Sequence, residues 1–139
     1  MMKIKITLFF LFISGFMLGQ QVNQTQKNND GKLMLLGKTD EKAFNNKEFS
    51  WYQENYKNYI TNDGVIDNFK DSLKNYSIKV FFGTWCGDSR RELPAFYKVI
   101  NKAKFDKNKL QVIAVDRKTV AYKQSPTGEE KGLNIHRVP

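Results

Sequence analysis

Between residues 77 and 116 the apolar pattern changes period twice, and that change restricts the fold more than anything else in the chain. "SIKVFFG" (77–83) is β-branched and aromatic, short, and closed by a glycine, as expected of a strand covered on at least one face. In "DSRRELPAFYKVINKAKF", Leu93, Phe96, Tyr97 and Ile100 recur at helical spacing, so a helix is expected to begin around residues 87–89. "KLQVIAVD" (109–116) is a second buried-type strand. Two strands joined through one helix by short links form a right-handed crossover in a parallel sheet, which makes the chain α/β.

The first junction of that unit, "KVFFGTWCGDSRRELP" (79–94), contains Cys86, the one cysteine of the chain. A cysteine after a strand and at the first turn of a helix meets unpaired backbone amides and the positive end of the helix dipole. Both favour the thiolate, which is the nucleophilic form. Asp88 suits a helix start but repels a thiolate, whereas Arg90 and Arg91 in the next turn attract one. Ser89 stands one helical turn from Cys86, where its hydroxyl is placed to donate to the sulfur. It cannot attack a disulfide, so an outside thiol must release anything Cys86 captures. The alternative for this position is a buried, inert cysteine.

One cysteine allows no disulfide within the chain, and with the lone histidine, His136, it is too little for a zinc site. No metal and no cofactor is expected, and His136 is read as a solvent-facing loop residue. Asp116, at the end of the second strand, is read as a cap for the following turn. The formal net charge of +9 comes from scattered lysines, with no block of like charges and no arginine-rich helix, so nucleic acid is not an expected partner.

The beginning of the chain has two lysines, an apolar run over residues 6–18, then Gly19 and a polar stretch. That run is near the length of a signal-peptide core and short of the roughly 20 residues that span a bilayer. Residues 1–19 are therefore expected to be a signal peptide; the alternative is an uncleaved anchor holding the protein to a membrane through residues 6–18. Residues 20–32 are Asn/Gln-rich without periodicity and read as a flexible tether. Residues 33–62 read as a partly helical amino-terminal extension: "LMLLG" (33–37) is a candidate edge strand, and Phe49, Tyr52, Tyr56, Tyr59 and Ile60 recur along one face of a helix as core packing. A second amphipathic helix carries Val65, Ile66, Phe69, Leu73 and Tyr76, with Asn62 or Asp63 as its cap. Pro94 is expected to bend the helix it lies in. Residues 117–131 form a polar loop or short helix ahead of "GLNIHRVP". A sheet of two or three strands ending there would leave an edge unpaired and one face thinly covered, so the sequence is expected to be a carboxy-terminally truncated fragment.

"TWCGDSRRELP" resembles the active-site pattern of the thioredoxin-like superfamily, specifically the exported disulfide reductases of the TlpA/ResA type: Thr84, Trp85, Cys86, Arg90, Glu92 and Pro94 match Thr-Trp-Cys-x-x-Cys-Arg/Lys-x-Glu-x-Pro. The resemblance covers residues 63–139. It implies an incomplete thioredoxin-like fold of amino-terminal helices plus the βαβ unit, ending at a cis-proline beside the thiol. "NIHRVP" resembles the approach to that proline, making Pro139 the proline and Val138 the residue facing a bound substrate chain. The active-site motif would comprise Trp85, Cys86, Gly87, Asp88 and Ser89, with Cys86 catalytic and Val138 and Pro139 in the substrate groove. Two departures bear on mechanism. Ser89 replaces the resolving cysteine, and Val80 stands where thioredoxin has a buried acid. The implied function is monothiol exchange with protein disulfides or glutathione adducts, with an external thiol as reductant, in the periplasm or cell envelope. The alternative is a redox-inactive thioredoxin-like binding module that holds a partner protein.

Overall fold

The structure, a computed structural model, describes residues 21–139. The signal peptide or anchor expected over residues 1–19 lies outside the described residues. No helix among the described residues is long and apolar enough to cross a membrane. The chain runs β1 (Gln24–Lys27), β2 (Leu33–Thr39), α1 (Ser50–Asn58), α2 (Asp63–Leu73), β3 (Ile78–Phe82), α3 (Gly87–Lys102) and β4 (Leu110–Ala114). The four strands form one mixed sheet in the order β1-β2-β4-β3. β1 with β2 and β2 with β4 are antiparallel, whereas β3 and β4 are parallel, with Val80 opposite Val112. α3 makes the crossover between them, as the change of period requires.

The amino-terminal part corrects two expectations. Residues 20–32, read as a flexible tether, contain β1, paired from Gln24 opposite Leu36 to Lys27 opposite Leu33. The turn that makes this possible is built by Asn28, whose Oδ1 accepts from the amides of Asp30 and Lys32, each at 2.9 Å, while Gly31 takes the left-handed φ of 75°. Strand pairing uses backbone groups, so a polar sequence with no apolar period can still form an edge strand. β2, read as an edge strand, is interior and paired on both sides. Its run Met34, Leu35, Leu36 is buried because both faces of the sheet are covered there. Residues 33–62, which include α1, share one sheet and one core with the βαβ unit.

Alternation along the strands divides the core in two. Phe82, Val112 and Ala114 face the helices and pack with Leu35, Phe44, Phe49, Tyr52, Leu93 and Tyr97. Phe81, Ile113 and Val115 face the other way and pack with Val138. The helix-side cluster is centred on Phe44, which lies in a 3₁₀ turn over Glu41–Asn45 and stacks on Tyr52 at 4.2 Å between ring centroids. The aromatic stripe is only partly core. Phe49 and Tyr52 are buried, but α1 stops at Asn58, so Tyr59 and Ile60 fall past its end and are exposed. Asn62 caps α2 by accepting from the Val65 amide at 3.1 Å, and Ile66 is the one buried residue of that helix. Val65 and Tyr76, expected in its apolar face, are exposed.

Pro94 is buried inside α3. Having no amide hydrogen, it leaves the carbonyl of Arg90 without its helical donor. Asn55 Nδ2 of α1 donates to that carbonyl at 3.0 Å, so the proline provides a docking point between the two helices.

Glu41 anchors a polar network over the aromatic cluster. Its Oε1 accepts from the Tyr52 hydroxyl and from Asn101 Nδ2, each at 3.0 Å, and its Oε2 from Lys107 at 3.3 Å. Burial first, and the Glu41 charge second, push the phenols of Tyr52 and Tyr97 far above the ordinary tyrosine value of 10.0. The folded chain therefore keeps two protons that the unfolded chain releases above about pH 10. Stability should fall beyond that pH, by up to about 1.4 kcal/mol per pH unit for each tyrosine. Denaturant midpoints measured from pH 9 to 11 check this, and a flat profile would contradict the two buried phenols.

Candidate functional site: the junction of β3 and α3

Phe82 ends β3, Cys86 is the N-cap of α3, and three residues make the bend between them. The Cys86 amide donates to the Gly83 carbonyl at 2.9 Å, closing the turn, and the Cys86 carbonyl accepts the first helical bond from Arg90 at 3.1 Å. Cys86 has the extended φ and ψ of an N-cap, −89° and 128°. Its side chain makes no capping bond, and the thiol is free and half-buried.

Each neighbour of the thiol is held by a separate contact. Thr84 is buried, with its Oγ1 accepting from the Leu35 amide at 3.3 Å, which ties the bend to β2. The Trp85 indole donates to the Val115 carbonyl at 3.0 Å and lies against Tyr122, with ring centroids 5.6 Å apart. Gly83 makes room for that ring: a Cβ on it would fall 2.5 Å from Cε2 and 2.7 Å from Nε1 of Trp85. Gly83→Ala should therefore displace the indole from Val115 and cost about 1–3 kcal/mol. A lower denaturant midpoint at unchanged slope would report it, and an unchanged midpoint would mean that the ring moves freely.

The expected hydrogen bond from Ser89 to the sulfur is not formed. Ser89 is fully buried, and its Oγ accepts from the Gly83 amide at 3.1 Å, which fastens the end of β3 to the first turn of α3. That bond and its burial hold this side chain in the interior of the protein. The two arginines are likewise committed elsewhere. Arg90 Nε donates to the Thr84 carbonyl at 2.6 Å, and its guanidinium lies 5.9 Å from the Trp51 ring centre. Arg91 bridges Asp88 at 2.9 Å and Glu92 at 2.7 Å. Gly87 and Asp88 lie at the start of the helix, with Asp88 exposed.

The far end of the chain returns to this junction. The Val138 carbonyl lies 3.9 Å from Cys86 Sγ, and the Val138 side chain is buried against Phe81, Ile113 and Val115, with Trp85, Cys86 and Ile135 alongside. Cys86, Trp85 and Val138 are thus brought together. Pro139 is exposed, and no cis peptide bond occurs among the described residues, which corrects the cis form expected for it. An X–Pro bond favours trans by roughly 0.5–1 kcal/mol unless packing imposes the other isomer, and an exposed proline has no such packing. His136 is exposed, with its carbonyl accepting from Lys123, and Asp116 Oδ1 accepts from the Lys118 amide at 2.9 Å as a turn cap.

Several contributors were not singled out from the sequence: the Val115 carbonyl, Tyr122, and the part Gly83 plays under the indole. A glycine two residues before a tryptophan whose N–H needs an acceptor is the signal that could have exposed the last of these. Among the described residues no group of three or more His, Cys, Asp or Glu side chains is placed to hold a metal ion. Set beside known proteins, the chain matches no family model, no curated protein and no solved structure.

Proposed function

We propose that the chain is an exported thioredoxin-like protein that exchanges disulfides through one nucleophilic sulfur, that of Cys86. The observation that carries this reading is the location of the thiol. It is free and half-buried at the N-cap of α3, directly after β3, with the Val138 backbone folded back beside it. The parallel β3-α3-β4 unit within a mixed sheet is the arrangement such a fold requires, and it supports the resemblance carried by Trp85, Cys86, Arg90, Glu92 and Pro94. Export rests on the leader pattern of residues 1–19 alone.

The exchange takes two steps. The Cys86 thiolate attacks one sulfur of a protein disulfide or glutathione adduct; a new S–S bond forms to Cys86 and the other sulfur leaves as a thiolate. An external thiolate then attacks the mixed disulfide, takes the captured group into a disulfide of its own, and returns Cys86 to its starting state. The electrons come from the external thiol. Ser89 supplies none, and its oxygen is already bonded to the Gly83 amide.

Intact-mass measurement after incubation with glutathione disulfide should show one glutathione adduct per chain, located at Cys86. With reduced glutathione present, a glutathionylated peptide should be turned over continuously. No adduct on the folded chain, under conditions that modify the denatured one, would mean a sealed and inert thiol. An adduct that reduced glutathione fails to release would make the protein a trap and would refute turnover.

A further inference from the structure

Asp116, just past the end of β4, is only 8% exposed, and among the described residues its carboxylate takes part in no ion pair. Its Oδ1 accepts one bond, from the Lys118 amide at 2.9 Å. A carboxylate has room for about four hydrogen bonds, and a buried charge is costly unless it is paired. Asp116 lines a recess of about 220 Å³ between residues 116–119 and the β1–β2 turn at residues 28–30. A cationic group entering that recess would complete its pairing.

The recess is balanced in charge. Asp30 and Asp116 contribute two carboxylates, and Arg117 and Lys118 two cations. Arg117 meets Asp30 at 3.3 Å. Among the described residues the Lys118 ammonium and the Asn29 side-chain amide take part in no hydrogen bond or ion pair. Two groups of opposite sign, Asp116 and Lys118, are therefore open to a ligand in one pocket. The two basic side chains oppose a metal ion, and the two carboxylates oppose a phosphate. An ammonium and a carboxylate on one carbon match both signs.

The position of the recess relative to the thiol identifies the bearer. β2 runs antiparallel to β4 with Gly37 opposite Ala114, so its Leu33 end and the turn before it lie beyond the carboxyl end of β4. β3 runs parallel to β4 with Phe82 opposite Ala114, so Cys86 lies at the same end, where open α/β sheets bind their ligands. The Trp85 indole, one residue before Cys86, donates at 3.0 Å to the carbonyl of Val115, one residue before Asp116. With neighbouring strands about 4.8 Å apart, one to three spacings put the recess about 5–14 Å from the β3 end. Glutathione carries a free ammonium and carboxylate on its γ-glutamyl end, two to three residue lengths, or about 7–10 Å, from its sulfur.

We infer that this recess binds the ammonium and carboxylate of a γ-glutamyl group, and so makes glutathione, as its disulfide or as a protein adduct, the substrate of Cys86. The ammonium meets Asp116 and the carboxylate meets Lys118, with Asn29 beside them. The assignment of substrate rests on the exchange proposed above. Seated there, the glutathione sulfur receives the Cys86 thiolate; a bond forms between the two, and the partner sulfur leaves as a thiolate with the electron pair of the broken S–S bond.

The test uses the full chain and S-methylglutathione, which has neither thiol nor disulfide and reports binding apart from exchange. Isothermal titration calorimetry should show saturable binding at one site. Acetylation of the ligand's amine, which removes the ammonium, should weaken binding at least about tenfold. Asp116→Asn should do the same, since the amide oxygen keeps the bond from the Lys118 amide while the charge is lost. Lys118→Glu should weaken binding about fivefold with the far-ultraviolet circular dichroism unchanged. Absence of saturable binding, or equal binding of the acetylated ligand, would overturn the inference. L-glutamate binding as tightly as S-methylglutathione would assign the recess to a free amino acid and overturn the link to glutathione. If S-methylglutathione fails to bind while glutathione disulfide still modifies Cys86, the recess is refuted and the exchange stands. If it binds and Cys86 remains unmodified, the exchange is refuted, and the assignment of substrate with it.

Discussion

Ser89→Cys should shorten the lifetime of a mixed disulfide at Cys86 by about 10³-fold when external thiol is at millimolar concentration. Positions 86 and 89 are one helical turn apart, a separation compatible with disulfide geometry. A second thiol there converts release from a bimolecular into an intramolecular step. An effective concentration of only about 1 M, far below the best intramolecular cases, already exceeds millimolar thiol by that factor. The substitution has a structural cost, because Ser89 Oγ accepts from the Gly83 amide in a fully buried site. Sulfur is a poor acceptor, and losing that bond costs about 1–2 kcal/mol. The two effects are read separately. Release of a labelled thiol from Cys86 without added reductant gives the lifetime, and the denaturant midpoint gives the cost. An unchanged lifetime in a folded variant would show that the interior position of residue 89 keeps its side chain from the sulfur, contrary to this expectation.

Phe44→Ala should destabilise the fold by about 3–5 kcal/mol, a large share of the roughly 5–15 kcal/mol that holds a domain together. Phe44 is almost fully buried. It stacks on Tyr52 and meets Phe49, Trp51, Phe82 and Tyr97 at ring-centroid distances of 5.7–6.4 Å. Truncation removes all five partners at once and leaves a cavity that α1, α3 and the sheet close only by moving together. Tyr59→Ala is the matched control, because Tyr59 is 42% exposed and past the end of α1. It should change stability by less than about 0.5 kcal/mol. Comparable losses in the two variants would mean that the aromatic cluster is not the centre of the core.

The contrast between these aromatics marks how far the sequence could be read. Periodicity located β3, α3 and β4, and the N-cap at Cys86 followed from a strand ending where a helix begins. It could not find Phe44, because a 3₁₀ turn of five residues has no repeat long enough to register. It also extended the first helix through Tyr59 and Ile60, since an apolar spacing continues whether or not the backbone does. β1 was missed because its side chains are polar and its order comes from pairing with β2 and from the Asn28 turn. At the site, the sequence separation between Ser89 and Cys86 was right, but the bond from the Gly83 amide holds the hydroxyl in the interior. The approach of Val138 to the thiol, across 52 positions of sequence, was legible only through the resemblance.

The loose seating of α2 has a consequence of its own. One buried side chain, Ile66, and an ion pair between Asp63 and the α3 residue Lys102 are its main ties to the rest of the molecule. Amide hydrogens in this helix should therefore exchange with solvent through partial openings that leave the sheet intact, while those of β4 wait for global unfolding. Among the described residues resistance to opening is thus expected to be graded rather than uniform, with one loosely held segment immediately before the strand that leads to Cys86.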